Sequence, residues 1–286
     1  MAESMQDIKR RIKSVTSTRQ ITNAMKLVSA SKLRKARATF ENTTEYFNFI
    51  THSIEEIFNN TSEVPERYLF SADKEIKKTC YILITSCKGL CGGFNTNIIR
   101  AAEETINGED DVIVAIGTKG EEYFDKRGYE IVDEYITPPE DITFLETREM
   151  SEPIIERFNK GEVDEIVLIY TGFKNTIEQE VRVKRLLPFE IELNPEVMKH
   201  DREVEYEPSV EEVFNYLVPK YVEIMIYGAV VESATCEHAA RRLAMENATD
   251  NATEMLDGLS LYYNRARQAA ITNEIVEVVA GSEAQM

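Results

Sequence analysis

Two long terminal helices coiled together antiparallel, joined to an α/β domain with a largely parallel sheet, form the fold class that the sequence predicts. Three observations predict it. The chain has 286 residues with 12 glycines and 8 prolines, yet neither residue occurs in the first 64 positions. A stretch that long without helix breakers reads as helix. After Pro219 there is no further proline, and residues recur at steps of three and four at Met245, Ala248, Ala252, Met255, Leu259, Tyr262, Ala266 and Ala269. That spacing is the seam of a two-helix coil, with small residues that let the helices approach closely. Between the two ends, short apolar runs alternate with helical patterns, as in a parallel sheet covered by helices.

The first helix is expected over 3–58. Its apolar positions are Ile8, Ile12, Val15, Ile21, Met25, Val28, Leu33, Ala36, Phe40, Phe47, Ile50, Ile54 and Ile57. Strands are expected at 79–86, 112–117, 129–136, 163–171 and 180–189, the last able to pair with its predecessor. Helices are expected at 94–106, 119–127 and 148–159, which makes the middle Rossmann-like. The final helix runs over 210–279. The chain therefore divides into a coiled-coil helix (1–60), an α/β domain (61–208) and a second coiled-coil helix (209–286). At 1.5 Å per residue the first helix is about 84 Å long, whereas a globule of this size is roughly 50 Å across. The helices are thus expected to project as an antiparallel pair. Position 58 opposite 212 brings Met25 to face Met245 and leaves a lone tip from Arg267 onward.

Charge is unevenly spread. The chain carries 33 basic and 51 acidic residues, a net −18. Ten basic residues and no acidic one lie between Lys9 and Phe40, among them Lys26, Arg34 and Lys35. A basic stripe on an acidic body reads either as a solvated helix face or as the contact for an anionic partner. Uniform nucleic-acid binding does not fit this balance, although a coiled-coil nucleic-acid binder stays open as a reading. No apolar run approaches the ~20 residues of a membrane span. The N-terminus lacks the apolar stretch of a secretory signal. Four cysteines do not make a disulfide framework in a chain this long, and a reducing compartment is expected.

Few residues carry a chemical signature. The turn Cys87-Lys88-Gly89-Leu90-Cys91-Gly92-Gly93 follows a strand and precedes a helix, where a dinucleotide site would sit. Its glycines are spaced G-x-x-G-G, however, and no Gly-Lys dipeptide occurs anywhere, so a Walker A loop is absent. It reads as a tight βα turn, with a nucleotide-binding α/β protein as the alternative. Cys87 and Cys91 lack companion ligands for zinc, because His52, His200 and His238 are scattered singly. His238 reads as a surface or seam residue of the last helix. No catalytic, cofactor-binding or metal-ligating residue is assigned, and no cofactor is expected.

Both ends carry a family resemblance. Ile21-Thr22-Asn23-Ala24-Met25-Lys26-Leu27-Val28-Ser29-Ala30-Ser31-Lys32-Leu33-Arg34-Lys35-Ala36 resembles the N-terminal signature of the gamma subunits of F-type ATP synthases. Ala239-Ala240-Arg241-Arg242-Leu243-Ala244-Met245, Ala248-Thr249-Asp250-Asn251-Ala252 and the run from Asn264 to Ile275 resemble that family's C-terminal helix. Lys88-Gly89-Leu90-Cys91-Gly92-Gly93-Phe94-Asn95 is similar to its central loop, with Cys87 where the family commonly has Asp.

The resemblance implies a central rotor shaft without an active site. It implies as partners three catalytic beta and three non-catalytic alpha subunits, an epsilon subunit and the membrane c-ring, with no nucleic acid and no membrane insertion. A peripheral place on the cytoplasmic face of the plasma membrane follows from the same resemblance. Met25, Lys26, Arg241, Gln268 and Thr272 match positions facing the catalytic subunits, and Arg34 and Lys35 belong to the same basic collar. Tyr206 and Glu207 match the foot near the rotor ring and epsilon subunit. Nothing between Thr171 and Pro219 looks like the cysteine-bearing regulatory insert of chloroplast relatives.

Overall fold

The computed structural model describes residues 5–60, 65–70, 76–106, 108, 110–189, 207 and 209–283. Its elements are α1 (Met5–Asn60), β1 (Thr79–Ile84), α2 (Phe94–Thr105), β2 (Val112–Ile116), α3 (Thr118–Asp125), β3 (Glu130–Tyr135), α4 (Phe144–Asn159), β4 (Glu165–Phe173), β5 (Gln179–Leu187) and α5 (Val210–Glu283). They fall into two compact units. One holds α1 up to Ala30 with α5 from Arg241; the other is Ser31–Ala240. Among the described residues no helix is long and apolar enough to cross a membrane.

The Ser31–Ala240 unit is built on a five-stranded sheet in the order β3-β2-β1-β4-β5. Strands β1 to β4 run parallel, and β5 is antiparallel to β4. Side chains alternate across a strand, so β1 feeds two cores. Cys80, Ile82 and Ile84 pack with α4 and α5 on one face, while Tyr81 and Leu83 pack with α2 and α3 on the other. Burial on both faces is why the inner strands read as unbroken apolar runs rather than as alternations. Helix α5 is buried almost all round between Tyr221 and Ala239, a core position rather than an amphipathic one. Within this unit it runs antiparallel to α1: Ile54 and Ile57 meet Phe214 and Val218, and Phe47 lies against Gly228.

Helix α4 begins at Phe144, four residues before the sequence expectation. Thr143 caps it: the Glu146 N–H donates to Thr143 Oγ1 at 3.3 Å, and the Thr143 N–H donates to Glu146 Oε2 at 2.7 Å. This capping box satisfies two otherwise unpaired N–H groups. The Thr-x-x-Glu pattern was visible in the sequence.

In the unit formed by the two chain ends, the helices meet at Thr22 and Thr249, whose hydroxyls lie 2.8 Å apart. That contact is within one residue of the register that pairs Met25 with Met245. The seam itself differs from the expectation. Ile21 and Val28 are 60% and 57% exposed, whereas Thr22 and Ser29 are buried. Starting from Ile8, Ile12 and Val15, an uninterrupted four-three spacing arrives at 22 and 29; a seam through 21 and 28 needs a slip of phase. On α5, Met245 and Ala252 are buried as expected, but Leu256 and Tyr263 face inward in place of Met255 and Tyr262. Residues 267–282 are exposed throughout, as expected for an overhanging tip.

Candidate functional site

A doubly wound sheet offers a ligand crevice at the carboxyl ends of the strands where the chain order reverses, here between β1 and β4. In this chain its own helices fill that place. Phe173, at the end of β4, meets Phe40 of α1 edge-on with ring centroids 6.1 Å apart. It also packs against a cluster of Cys91, Phe94 and Cys236 with Ala240. The Phe173 N–H donates to Glu232 Oε1 of α5 at 2.8 Å.

The turn after β1 closes on itself. Asn95 accepts from the Ser86 N–H at 3.0 Å and donates to Ser86 Oγ at 2.7 Å and Cys91 Sγ at 3.3 Å. Burial pushes the Cys87 thiol above its usual range, and the negative charges of Glu237 and Glu140 act in the same direction. A reactive thiolate needs the opposite environment. The turn is the tight βα connection that its glycine spacing describes.

The contact residues assigned from the sequence are spread along the two long helices. Met25 and Lys26 are half-buried, whereas Gln268 and Thr272 are exposed on the tip. Arg241 is 8% exposed, so its side chain lies inside this chain. In the other unit Arg34 and Lys35 are exposed, and among the described residues neither has an ion-pair partner. Glu207 is exposed; Tyr206 lies outside the described residues.

One cluster escaped the sequence reading. His238 is buried, 1% exposed, which excludes the surface alternative, and its Nε2 lies 2.7 Å from Glu140 Oε2. The other oxygen of Glu140 bonds Lys32 Nζ of α1. Glu140 sits in a 3-10 turn, Pro139–Asp141, that Pro138 and Pro139 help to set. The three residues line a cavity of about 410 Å³ together with Lys35, Thr143 and Tyr227.

The His238 ring nitrogen beside it, followed by the Lys32 contact, holds the Glu140 carboxyl down at about 2. A lowered folded-state pKa gives stability that is present above the unfolded carboxylate range, near 4.3, and lost as pH falls toward the folded value. Replacing Glu140 by Gln should therefore cost about 1–3 kcal/mol at pH 7. The difference in melting temperature from wild type should shrink steadily between pH 5 and pH 2. A gap that stays constant over that range in thermal melts contradicts the assignment.

The family described as ATP synthase matches residues 4–285. An ATP synthase gamma chain of Alkaliphilus metalliredigens is 48% identical over 289 residues, covering 99% of each chain. A gamma chain of Acetobacterium woodii named as sodium ion specific is 43% identical, again over 99% of both. Among solved structures, a chain from the central stalk and c-ring structure of Tetrahymena thermophila mitochondrial ATP synthase aligns with a TM-score of 0.64. It is 28% identical and covers 80% of this chain and 99% of its own. A chain from Euglena gracilis mitochondrial ATP synthase, at 18% identity, shares the fold over 98% of this chain and 94% of its own, with a TM-score of 0.71. The chain belongs to the ATP synthase gamma-chain family and is a non-catalytic stalk subunit.

Proposed function

We propose that this chain is the central rotor of its ATP synthase and carries torque between a membrane ion-driven ring and a catalytic hexamer of three alpha and three beta subunits. The observation that carries the reading is the exposed length of α5 beyond its last inward residue: Ile271, Ile275, Val276, Val278 and Val279 are 49–68% exposed. Apolar side chains in that density mark a surface that a partner covers. Met25, Lys26, Gln268 and Thr272 are assigned to the catalytic hexamer, with Arg34 and Lys35 meeting its acidic loops. Arg241, 8% exposed in the free chain, is assigned to the same contact. Glu207, with Tyr206, is assigned to the foot that meets the c-ring and epsilon subunit on the cytoplasmic face of the plasma membrane. Three functional segments follow the divisions 1–60, 61–208 and 209–286.

The test is direct. A bead fixed to this chain in an assembled, surface-held hexamer should turn when ATP is supplied, and the isolated chain should hydrolyse none. Hydrolysis by the chain alone, or a stationary bead on an active hexamer, overturns the reading.

The basic collar contributes less than steric contact does. Exposed ion pairs are worth about 0–1 kcal/mol each, so replacing Lys26, Arg34 and Lys35 together by Gln should lower torque by less than about half. Bead rotation against a viscous load measures this, and complete arrest of the triple variant contradicts it.

A further inference from the structure

Three segments far apart in sequence converge on a single carboxylate. Lys32 lies on α1, Glu140 in the Pro139–Asp141 turn that leads into α4, and His238 on α5. The side chains of Glu140 and His238 are 17% and 2% exposed, and that of Lys32 is 47% exposed. The charge-assisted hydrogen bond from Lys32 to Glu140 holds geometry more tightly than a neutral one would. Next to this anchored lysine, Arg34 and Lys35 are exposed, Lys35 at the rim of the same cavity, and both belong to the proposed partner contact.

We propose that Glu140 is a positioning residue for torque transfer: by pairing with Lys32 and His238 at once, it fixes the basic collar of α1 against α5 and the turn that leads into α4. The proposal rests on the rotor reading above. It divides the basic stripe by role, because the Lys32 ammonium is held by Glu140 while the exposed Arg34 is offered to the partner. A clamp that joins two helices to that turn resists their shear when the shaft is loaded. Its loss should leave ATP hydrolysis in place and let part of each turn go to strain rather than to ion movement.

The experiment uses the whole ATP synthase in proteoliposomes, assembled with wild-type chain or with Glu140→Gln, Lys32→Gln, Lys32→Arg or the Gln/Gln double variant. ATP hydrolysis and the initial rate of ATP-driven membrane potential, read with a voltage-sensitive dye, are measured on the same vesicles. Glu140→Gln and Lys32→Gln should each lower the ratio of pumping to hydrolysis at least twofold, with hydrolysis itself within a factor of two of wild type. The double variant should fall no further than the singles, since residues acting as one unit do not add. Lys32→Arg, which keeps the charge and the hydrogen bond, should retain the wild-type ratio. An unchanged ratio in the Gln variants, a parallel fall of hydrolysis and pumping, or a Lys32→Arg complex as weak as Lys32→Gln overturns the proposal. A wild-type complex that hydrolyses ATP without generating any potential points instead to failure of the rotor reading itself.

Discussion

Gly117→Ala should destabilise the chain by about 3–5 kcal/mol, the sum of a strained backbone and a steric overlap. Gly117 lies between β2 and α3 with φ at +92°, in the left-handed region. A Cβ there would sit 2.1 Å from the carbonyl oxygen of Thr85 and 2.7 Å from its carbon. These are backbone atoms and cannot swing aside as the end of a lysine would. They are also pinned, because the Thr85 N–H donates to the Ile116 carbonyl at 2.8 Å and the Gly117 N–H to the Tyr135 carbonyl at 2.9 Å. Relief means separating β1 from β2 at the point where both are fully buried. Gly161 makes the control: its φ is +73°, but nothing lies within 4 Å of an added Cβ, so Ala there should cost only about 1 kcal/mol. A 1 kcal/mol change shifts the melting temperature by roughly 2–4 °C in a chain of this order of size. Thermal melts should therefore separate the two variants by several degrees, and equal melting points would refute the argument.

Removing residues 275–286 should barely affect the free chain yet disable it in the complex. The described residues of that segment are exposed, so their loss uncovers no core and should move stability by less than about 0.5 kcal/mol. Ile275, Val276, Val278 and Val279 are each more than half exposed. Full burial of such a side chain is worth about 1.5–3 kcal/mol, so even partial cover of four of them by a partner holds the tip firmly. The truncated complex should pump ions at a rate several-fold below wild type, while the truncated free chain melts within about 2 °C of the intact one. A drop of 5 °C or more in the free chain would mean that the segment packs on this chain instead, and the rotor-tip assignment would fall.

The sequence by itself determined the elements and their order. Helix periodicity, strand alternation and the placing of glycine and proline act over a few residues, so the long stretch free of both announced α1 before any packing was known. Continuous apolar runs such as Ile166-Val167-Leu168-Ile169 announced strands covered on both faces. The chain-wide resemblance rested on the same local strings, and it reached the family.

Tertiary structure alone decided which neighbours share a space. The choice of Thr22 over Ile21 at the seam follows from phase along the whole helix and from the partner across it, which gives a small hydroxyl a place next to Thr249 that a branched apolar chain does not have. Filling of the β1–β4 crevice depends on Phe40, Phe173 and Cys236, drawn from three distant segments. The pairing of Lys32 and His238 through Glu140 spans more than a hundred residues on the Lys32 side. No local pattern marks such a contact, because an isolated lysine, glutamate and histidine read as three solvated charges until the fold removes the water between them.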